Sequence, residues 1–222
     1  MLFLISNYPY ELKLALFITQ GLFWTATYIE CVRVGFKQKT YAVPFVALCL
    51  NFGWEFYYTI QGYLSEGLDV TTSINLLWLS FDTLILVTYF KYGNELKLPK
   101  IQFYGYSIAF LTLCVVGYAV IGMHFDLAVS AVYAGFAINI LMSLLFIRML
   151  IRRPGTKGQN MFIAVCKCLG TVFITIAIGV VGINRIGGVK PLILYTGILI
   201  LILDLAYIFL LKRAKASHKA VV

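Results

Sequence analysis

Apolar residues in this chain come in long blocks, with polar residues gathered into short gaps between them. Seven mostly apolar stretches stand out: 12–33, 41–64, 73–92, 103–122, 127–151, 161–182 and 191–211. A helix needs about 20 such residues to cross the hydrocarbon of a bilayer. The pattern therefore predicts an all-α membrane protein, residues 1–222 forming a single domain built as a bundle of seven transmembrane helices. The short gaps predict antiparallel neighbours. The first stretch is too long for a signal-peptide core, and no small-residue cleavage site follows it, so it is read as a span. No soluble domain, linker or low-complexity segment interrupts the pattern. The basic segment after Leu211 reads as a short, frayed tail.

Charge sharpens this picture. Only 12% of residues are charged and 61% are hydrophobic, with a mean hydropathy of +0.90, where soluble domains carry about 25% charged residues. Lysine and arginine mark the cytoplasmic side of short loops. The first, third and fifth loops and the tail hold fourteen of them: Arg33, Lys37, Lys39, Lys91, Lys97, Lys100, Arg148, Arg152, Arg153, Lys157, Lys212, Arg213, Lys215 and Lys219. The opposite side holds three, Lys13, Arg185 and Lys190, and its loop 65–72 carries Glu66 and Asp69. The expected orientation is N-terminus outside and C-terminus cytoplasmic. With the basic residues at helix ends, the net charge of +9 reads as membrane topology, and no nucleic-acid partner is expected. The five cysteines, Cys31, Cys49, Cys114, Cys166 and Cys168, all lie in apolar stretches, and the two histidines, His124 and His218, are not at metal-ligand spacing from them. Neither a zinc site nor a disulfide framework is expected.

Ionisable residues inside spans are the chemical signal. Each costs about 2.5–3.5 kcal/mol at mid-span and is a functional candidate by default. Five occur: Glu30, Glu55, Asp82, Lys167 and Asp204. Glu30 lies close enough to a helix end to reach the interface. Lys167 either snorkels or pairs with an acid. Glu55 shares a helical face with Asn51 and Tyr58, Asp82 with Asn75 and Trp78, and Asp204 with Tyr207, because residues three, four and seven apart line up on a helix. Three helices are thus expected to aim one carboxyl group each into a common interior. They serve there either as interhelical hydrogen bonds or as reactive acids. An apolar pocket disfavours the charged form of a carboxyl group, and a neutral acid can donate a proton. Aromatic faces stabilise a cation and exclude water. Acid plus aromatic lining is the specification for starting and steering a carbocation, although proton transport also uses buried acids.

Absences narrow the choice. No Asp-Asp pair or aspartate-rich motif is present to hold magnesium and a diphosphate, no metal site is expected, and no cofactor motif is found. The seventh stretch lacks a mid-span lysine for a retinal Schiff base. Gly135, Gly170, Gly179 and Gly182 are read as close-packing points within helices.

The run Lys39-Thr40-Tyr41-Ala42-Val43-Pro44 followed by Asn51-Phe52-Gly53-Trp54-Glu55 resembles the signature of the integral-membrane terpene cyclases of meroterpenoid and indole-diterpene pathways, the paxilline- and pyripyropene-type cyclases. Trp78-x-x-x-Asp82 and Asp204 are similar to two further elements of that family. The resemblance implies a metal-independent terpene cyclase. Such an enzyme protonates a terminal epoxide, or an alkene, of a prenyl chain and steers polyene cyclisation. The family's acidic pair carries over to Glu55 and Asp204, with Asp204 sharing the acid role or taking the final proton. Asn51 is expected to orient Glu55, with Asn75 and Asp82 completing the network. Trp54, Tyr58, Trp78 and Trp24 are expected to line the cage, with Tyr207 beside Asp204. The expected partners are membrane lipids and a lipophilic prenylated or terpenoid substrate, epoxidised at its end. The expected membrane is the endoplasmic reticulum in a fungus or the plasma membrane in a bacterium. The rival readings are a small seven-helix transporter with a proton-linked path through Asn51, Asn75, Asn139 and Asn184, and a receptor. No internal repeat or mid-span proline supports the transporter.

Overall fold

The computed structural model describes residues 8–153 and 155–221, with side chains up to residue 216. Lys219 and His218 of the tail therefore lie outside the described side chains. Among the described residues there are seven long helices: α1 (Tyr10–Gln38), α2 (Phe45–Glu66), α3 (Val70–Tyr92), α4 (Lys100–His124), α5 (Leu127–Arg152), α6 (Met161–Ile176) and α7 (Pro191–Val221). Extended pairing among these residues is limited to one isolated bridge, Ile183 to Gly188.

Each apolar stretch has become a helix, and the differences at the ends have local causes. The second helix starts at Phe45, four residues later than the apolar block, because Pro44 stands as its N-cap and disfavours helix in the residue before it. Asp69 caps α3 by accepting from Thr72 N at 2.7 Å. That bond holds the Asp69 carboxyl below its ordinary range. Asn160 caps α6 by accepting from Ile163 N at 2.9 Å. The last turn of the sixth block widens into a π-helix, Ala177–Val181. Gly182 follows at φ 80°, outside the helix. It ends the turn in a conformation that side chains avoid, and it is also tightly packed, since a Cβ there would stand 2.6 Å from Val189 N; only its placement inside a helix is corrected. The seventh helix does not fray at Leu211. It continues to Val221 through a segment rich in lysine, arginine and alanine, which favour helix, and without glycine or proline.

Among the described residues, five helical segments are long and apolar enough to cross a membrane: Val70–Tyr92, Lys100–His124, Leu127–Arg152, Met161–Val181 and Pro191–Ala216. The helices α1 and α2 are long but more polar. Large apolar side chains such as Ile101, Met123, Tyr195, Ile202 and Phe209 are exposed, while Asn75, Asp82, Ser143, Lys167 and Asp204 are buried. This is the arrangement that suits helices in hydrocarbon, where polar groups must be satisfied internally.

The chain divides into two compact units. One comprises residues 28–138 with 157–159. Within it α2 packs on α3 and α4. Gly53 permits the close approach to α4, since a Cβ there would stand 3.1 Å from the Cys114 carbonyl carbon. Gly135, in contrast, has only ordinary contacts, the nearest 3.8 Å away at Trp54 Nε1, so it is not a close-packing point. The other unit comprises residues 1–27, 139–156 and 160–222. Within it α6 and the π turn pack on α7. A Cβ on Gly179 would fall 2.9 Å from Leu194 Cα, and one on Gly170 would fall 2.7 Å from Trp24 Cδ1. All five cysteines are buried, and none forms a disulfide.

The Gly179 contact is with backbone and cannot yield by a side-chain rotation. Gly179→Ala should therefore lower stability by about 1–3 kcal/mol, the range for overpacking. Gly21→Ala, whose Cβ meets nothing within 4 Å, should be neutral or gain up to about 1 kcal/mol. Denaturation of the detergent-solubilised variants measures both. Equal stability of Gly179→Ala and wild type would refute the tight packing of the π turn on α7.

Candidate active site

Glu55 lies at the middle of α2, 2% exposed. Its Oε1 accepts a hydrogen bond from the Tyr28 hydroxyl at 3.3 Å. Asn51, one turn earlier on α2, donates its amide protons to Tyr28 Oη at 2.6 Å and to Asp82 Oδ2 at 2.8 Å. A chain of hydrogen bonds thus runs from Asp82 on α3 through Asn51 to Tyr28 on α1, and from Tyr28 to Glu55. Asp82 is 1% exposed. The other carboxylate oxygen of Glu55, Oε2, is buried and has no partner. That oxygen departs from the rule that buried polar atoms are hydrogen-bonded.

Asn51 makes no hydrogen bond to Glu55 itself; it is linked to Glu55 through Tyr28, which the sequence did not single out among fifteen tyrosines. Asn75 is buried on α3 and takes part in none of these hydrogen bonds.

Aromatic rings flank Tyr28. Trp78 and Phe81 stack near Tyr28 with centroids 6.0 and 6.2 Å away. A second group lies around Tyr58. Trp54 is 5.1 Å from it and Tyr118 is 6.2 Å. Both polar tips are anchored: Trp54 Nε1 donates to Ala131 O at 2.9 Å, and the Tyr58 hydroxyl donates to Ser130 Oγ at 3.0 Å. Anchoring of this kind holds a ring at a fixed angle while leaving its face apolar. Ser130 was not foreseen from the sequence.

Asp204 and Tyr207 belong to the other compact unit, as does Trp24. Asp204 is 1% exposed and forms a buried ion pair. Lys167 Nζ lies 2.8 Å from Oδ1 and 3.0 Å from Oδ2. Of the two readings of Lys167, pairing with an acid is the observed one. Ser143 Oγ sits 2.7 Å from both Asp204 Oδ1 and Lys167 Nζ, accepting from the ammonium. Asn139 donates to Thr171 Oγ1 at 2.8 Å, one turn away on each helix. The i, i+4 spacing of Asn139 and Ser143 was the one sequence signal that could have pointed to this cluster. Tyr207 is fully buried, 5.4 Å from the Phe146 ring, and Trp24 is half-buried against Gly170. Glu30 pairs with Arg33 of its own helix at 2.6 Å. Among the described residues no three His, Cys, Asp or Glu side chains gather as a metal-ligand set.

A buried ion pair broken on one side leaves an uncompensated charge, which costs about 3–5 kcal/mol. Lys167→Met should destabilise the protein by about that much. The double variant Lys167→Met/Asp204→Leu should recover most of the loss, because no charge remains buried alone. Chemical denaturation in detergent reads the two values. A Lys167→Met protein as stable as wild type would mean the pair is solvated.

Comparison with known proteins places the chain in a family. Residues 7–217 match the family of Pyr4-like transmembrane terpene cyclases. The Pyr4-family terpene cyclase mfmH of Annulohypoxylon moriforme is 26% identical over 172 residues, covering 75% of this chain and 69% of the relative. Asnovolin H synthase nvfL of Aspergillus novofumigatus is 23% identical over 194 residues, covering 84% and 79%. Terpene cyclase pyr4 of Aspergillus fumigatus is 24% identical over 217 residues, covering 91% and 87%. No solved structure matches the chain. With nearly its whole length matched, and with the apolar helices described above, this chain belongs to the Pyr4-like transmembrane terpene cyclases and is an integral-membrane enzyme.

Proposed function

We propose that the enzyme cyclises a prenylated or terpenoid substrate by protonating its terminal epoxide or alkene, with Glu55 as the proton donor and no metal. The observation that carries this reading is the unequal treatment of the two Glu55 oxygens. Oε1 is held by the Tyr28 hydroxyl, while Oε2 is buried without a partner. In a neutral Glu55, Oε1 accepts from Tyr28 and the acid proton sits on Oε2, facing whatever enters. With an epoxide, that proton goes to the epoxide oxygen, a carbon–oxygen bond breaks, and the electron pair of the neighbouring alkene attacks the carbon that is left electron-poor. Successive alkenes close further rings. The last cation loses a proton to a base, so the reaction is an isomerisation without net gain or loss of protons.

Asp204, compensated by Lys167, is proposed as that base, or as a second group acting with Glu55. The rings of Trp78 and Phe81 near Tyr28, and of Trp54 and Tyr58 on α2, suit the stabilisation of a cation and the exclusion of water. Asn75, Trp24 and Tyr207 remain proposed lining residues. The absence of an aspartate-rich diphosphate motif supports initiation by protonation over ionisation of a diphosphate. Seven spans, an external N-terminus and a cytoplasmic C-terminus complete the proposal. In a fungal host, like those of the relatives, the membrane would be the endoplasmic reticulum.

Glu55→Gln keeps the shape and one hydrogen-bonding oxygen but has no acid proton. It should insert and fold, and its turnover of a prenyl epoxide should fall at least about a hundredfold, the lower range for loss of a general acid. Product analysis at unchanged mass but shifted retention follows the reaction. Near-normal cyclisation by well-folded Glu55→Gln would sink the assignment. For the topology, a reporter fused after Val222 should be cytoplasmic and one before Met1 external, and both on one side would rule out seven spans.

A further inference from the structure

A second buried oxygen on α2 is also without a partner. Thr59 is 6% exposed, and its Oγ1 makes no hydrogen bond. This is unusual for a threonine in a helix, which can bond back to the carbonyl four residues earlier. Other threonines among the described residues do so: Thr27 to Phe23 O, Thr83 to Leu79 O, Thr171 to Lys167 O, Thr175 to Thr171 O and Thr196 to Leu192 O, at 2.7–3.0 Å. The same bond is open to Thr59, whose partner would be the carbonyl of Glu55, and it is not made.

Thr59 follows Glu55 by four residues, so the two share a face of α2 with their Cβ atoms about 5–6 Å apart. Glu55 Oε2 and Thr59 Oγ1 are thus successive unpartnered oxygens along one buried stripe. A lone unsatisfied group can be a local imperfection. Two on one stripe, one of them the proposed acid, describe a site whose hydrogen-bonding partner arrives from outside.

We propose that Thr59 contacts the substrate and, with Glu55 Oε2, grips one oxygen-bearing group. This rests on Glu55 being the acid that faces the substrate. The chemistry is complementary. An ether, epoxide or hydroxyl oxygen has two lone pairs. One takes the acid hydrogen of Glu55 and the other accepts from the Thr59 hydroxyl. A hydrocarbon end satisfies neither, and leaves two buried oxygens unpaired. Thr59 is therefore a specificity residue, selecting the group at the reacting end, and it fixes which oxygen Glu55 addresses.

The test uses two inert probes, a farnesylated phenol ending in a tertiary alcohol and its counterpart ending in an isopropyl group. Binding to detergent-solubilised wild type, Thr59→Val and Thr59→Ser is measured by tryptophan fluorescence quenching. Thr59→Val keeps the shape of the side chain and removes the hydroxyl. Wild type should prefer the alcohol. Thr59→Val should lose about tenfold in affinity for the alcohol, a typical effect of one hydrogen bond. It should bind the hydrocarbon within about twofold of wild type, and Thr59→Ser should restore the preference. The melting temperature of Thr59→Val should be unchanged or higher, because no bond is lost. The proposal is overturned if wild type binds neither probe or does not distinguish them. It is also overturned if Thr59→Val binds both as wild type does, or if Thr59→Val is clearly less stable. Turnover of the matching terminal epoxide by wild type and Glu55→Gln, measured alongside, reads the acid assignment separately. Failure there with the Thr59 effect intact removes the mechanism and keeps the contact. Cyclisation with no Thr59 effect does the reverse.

Discussion

A polar group carried into an apolar interior must find a partner there, because unpaired burial costs several kcal/mol. This constraint organises both compact units of the enzyme. Asn51 spends its two amide protons on two different helices. Lys167 is matched by a carboxylate and a serine hydroxyl. Helical threonines fold their hydroxyls back onto their own carbonyls. The partners lie on neighbouring helices, so the same bonds that satisfy the polar atoms also fix helix register. Against that background the unsatisfied oxygens of Glu55 and Thr59 carry information because they follow one another on a single helix face, whereas Asn139 Oδ1, also unpartnered, stands by itself on α5.

The two acids that the sequence points to have been given different surroundings. Glu55 has a phenol on one oxygen and no partner on the other, whereas Asp204 is clamped by an ammonium and a hydroxyl. Divergent environments of this kind are how proteins assign two carboxyl groups to different proton roles. A carboxylate paired with lysine is suited to receive a proton or to brace its unit. A carboxyl group with one bound and one free oxygen is suited to deliver one. Asp82 occupies a third position, accepting from Asn51 and bracing the Tyr28 hydroxyl that in turn holds Glu55.

The aromatic residues combine both demands. Tyr58 and Trp54 satisfy their polar tips on Ser130 and the Ala131 carbonyl, and their faces stay apolar. Rings held in this way resist rotation, and a cation near them meets a fixed electron-rich surface instead of water. The outward faces of the helices carry isoleucine, leucine and phenylalanine, which suits both the bilayer and a lipid-soluble substrate.

The sequence by itself determined the helices, because an apolar block of spanning length is a local property that packing does not need to decide. It also pointed to carboxyl groups that end up buried, Glu55, Asp82 and Asp204, because a charge inside such a block is costly wherever the helix ends up. Local chemistry accounts for the start of α2 after Pro44, and the glycine- and proline-free segment beyond Leu211 accounts for the length of α7. Partners were a different matter. That Tyr28 meets Glu55, that Asn51 serves Asp82 and Tyr28 and not its own helix neighbour, and that Lys167 pairs with Asp204 depend on contacts 23–37 residues apart in sequence. Only the packing of one helix on another brings such atoms within 3 Å or so, and hydropathy is blind to that register. The spare oxygens of Glu55 and Thr59 were hidden for the same reason, because an unpartnered atom exists only once every potential partner has a position.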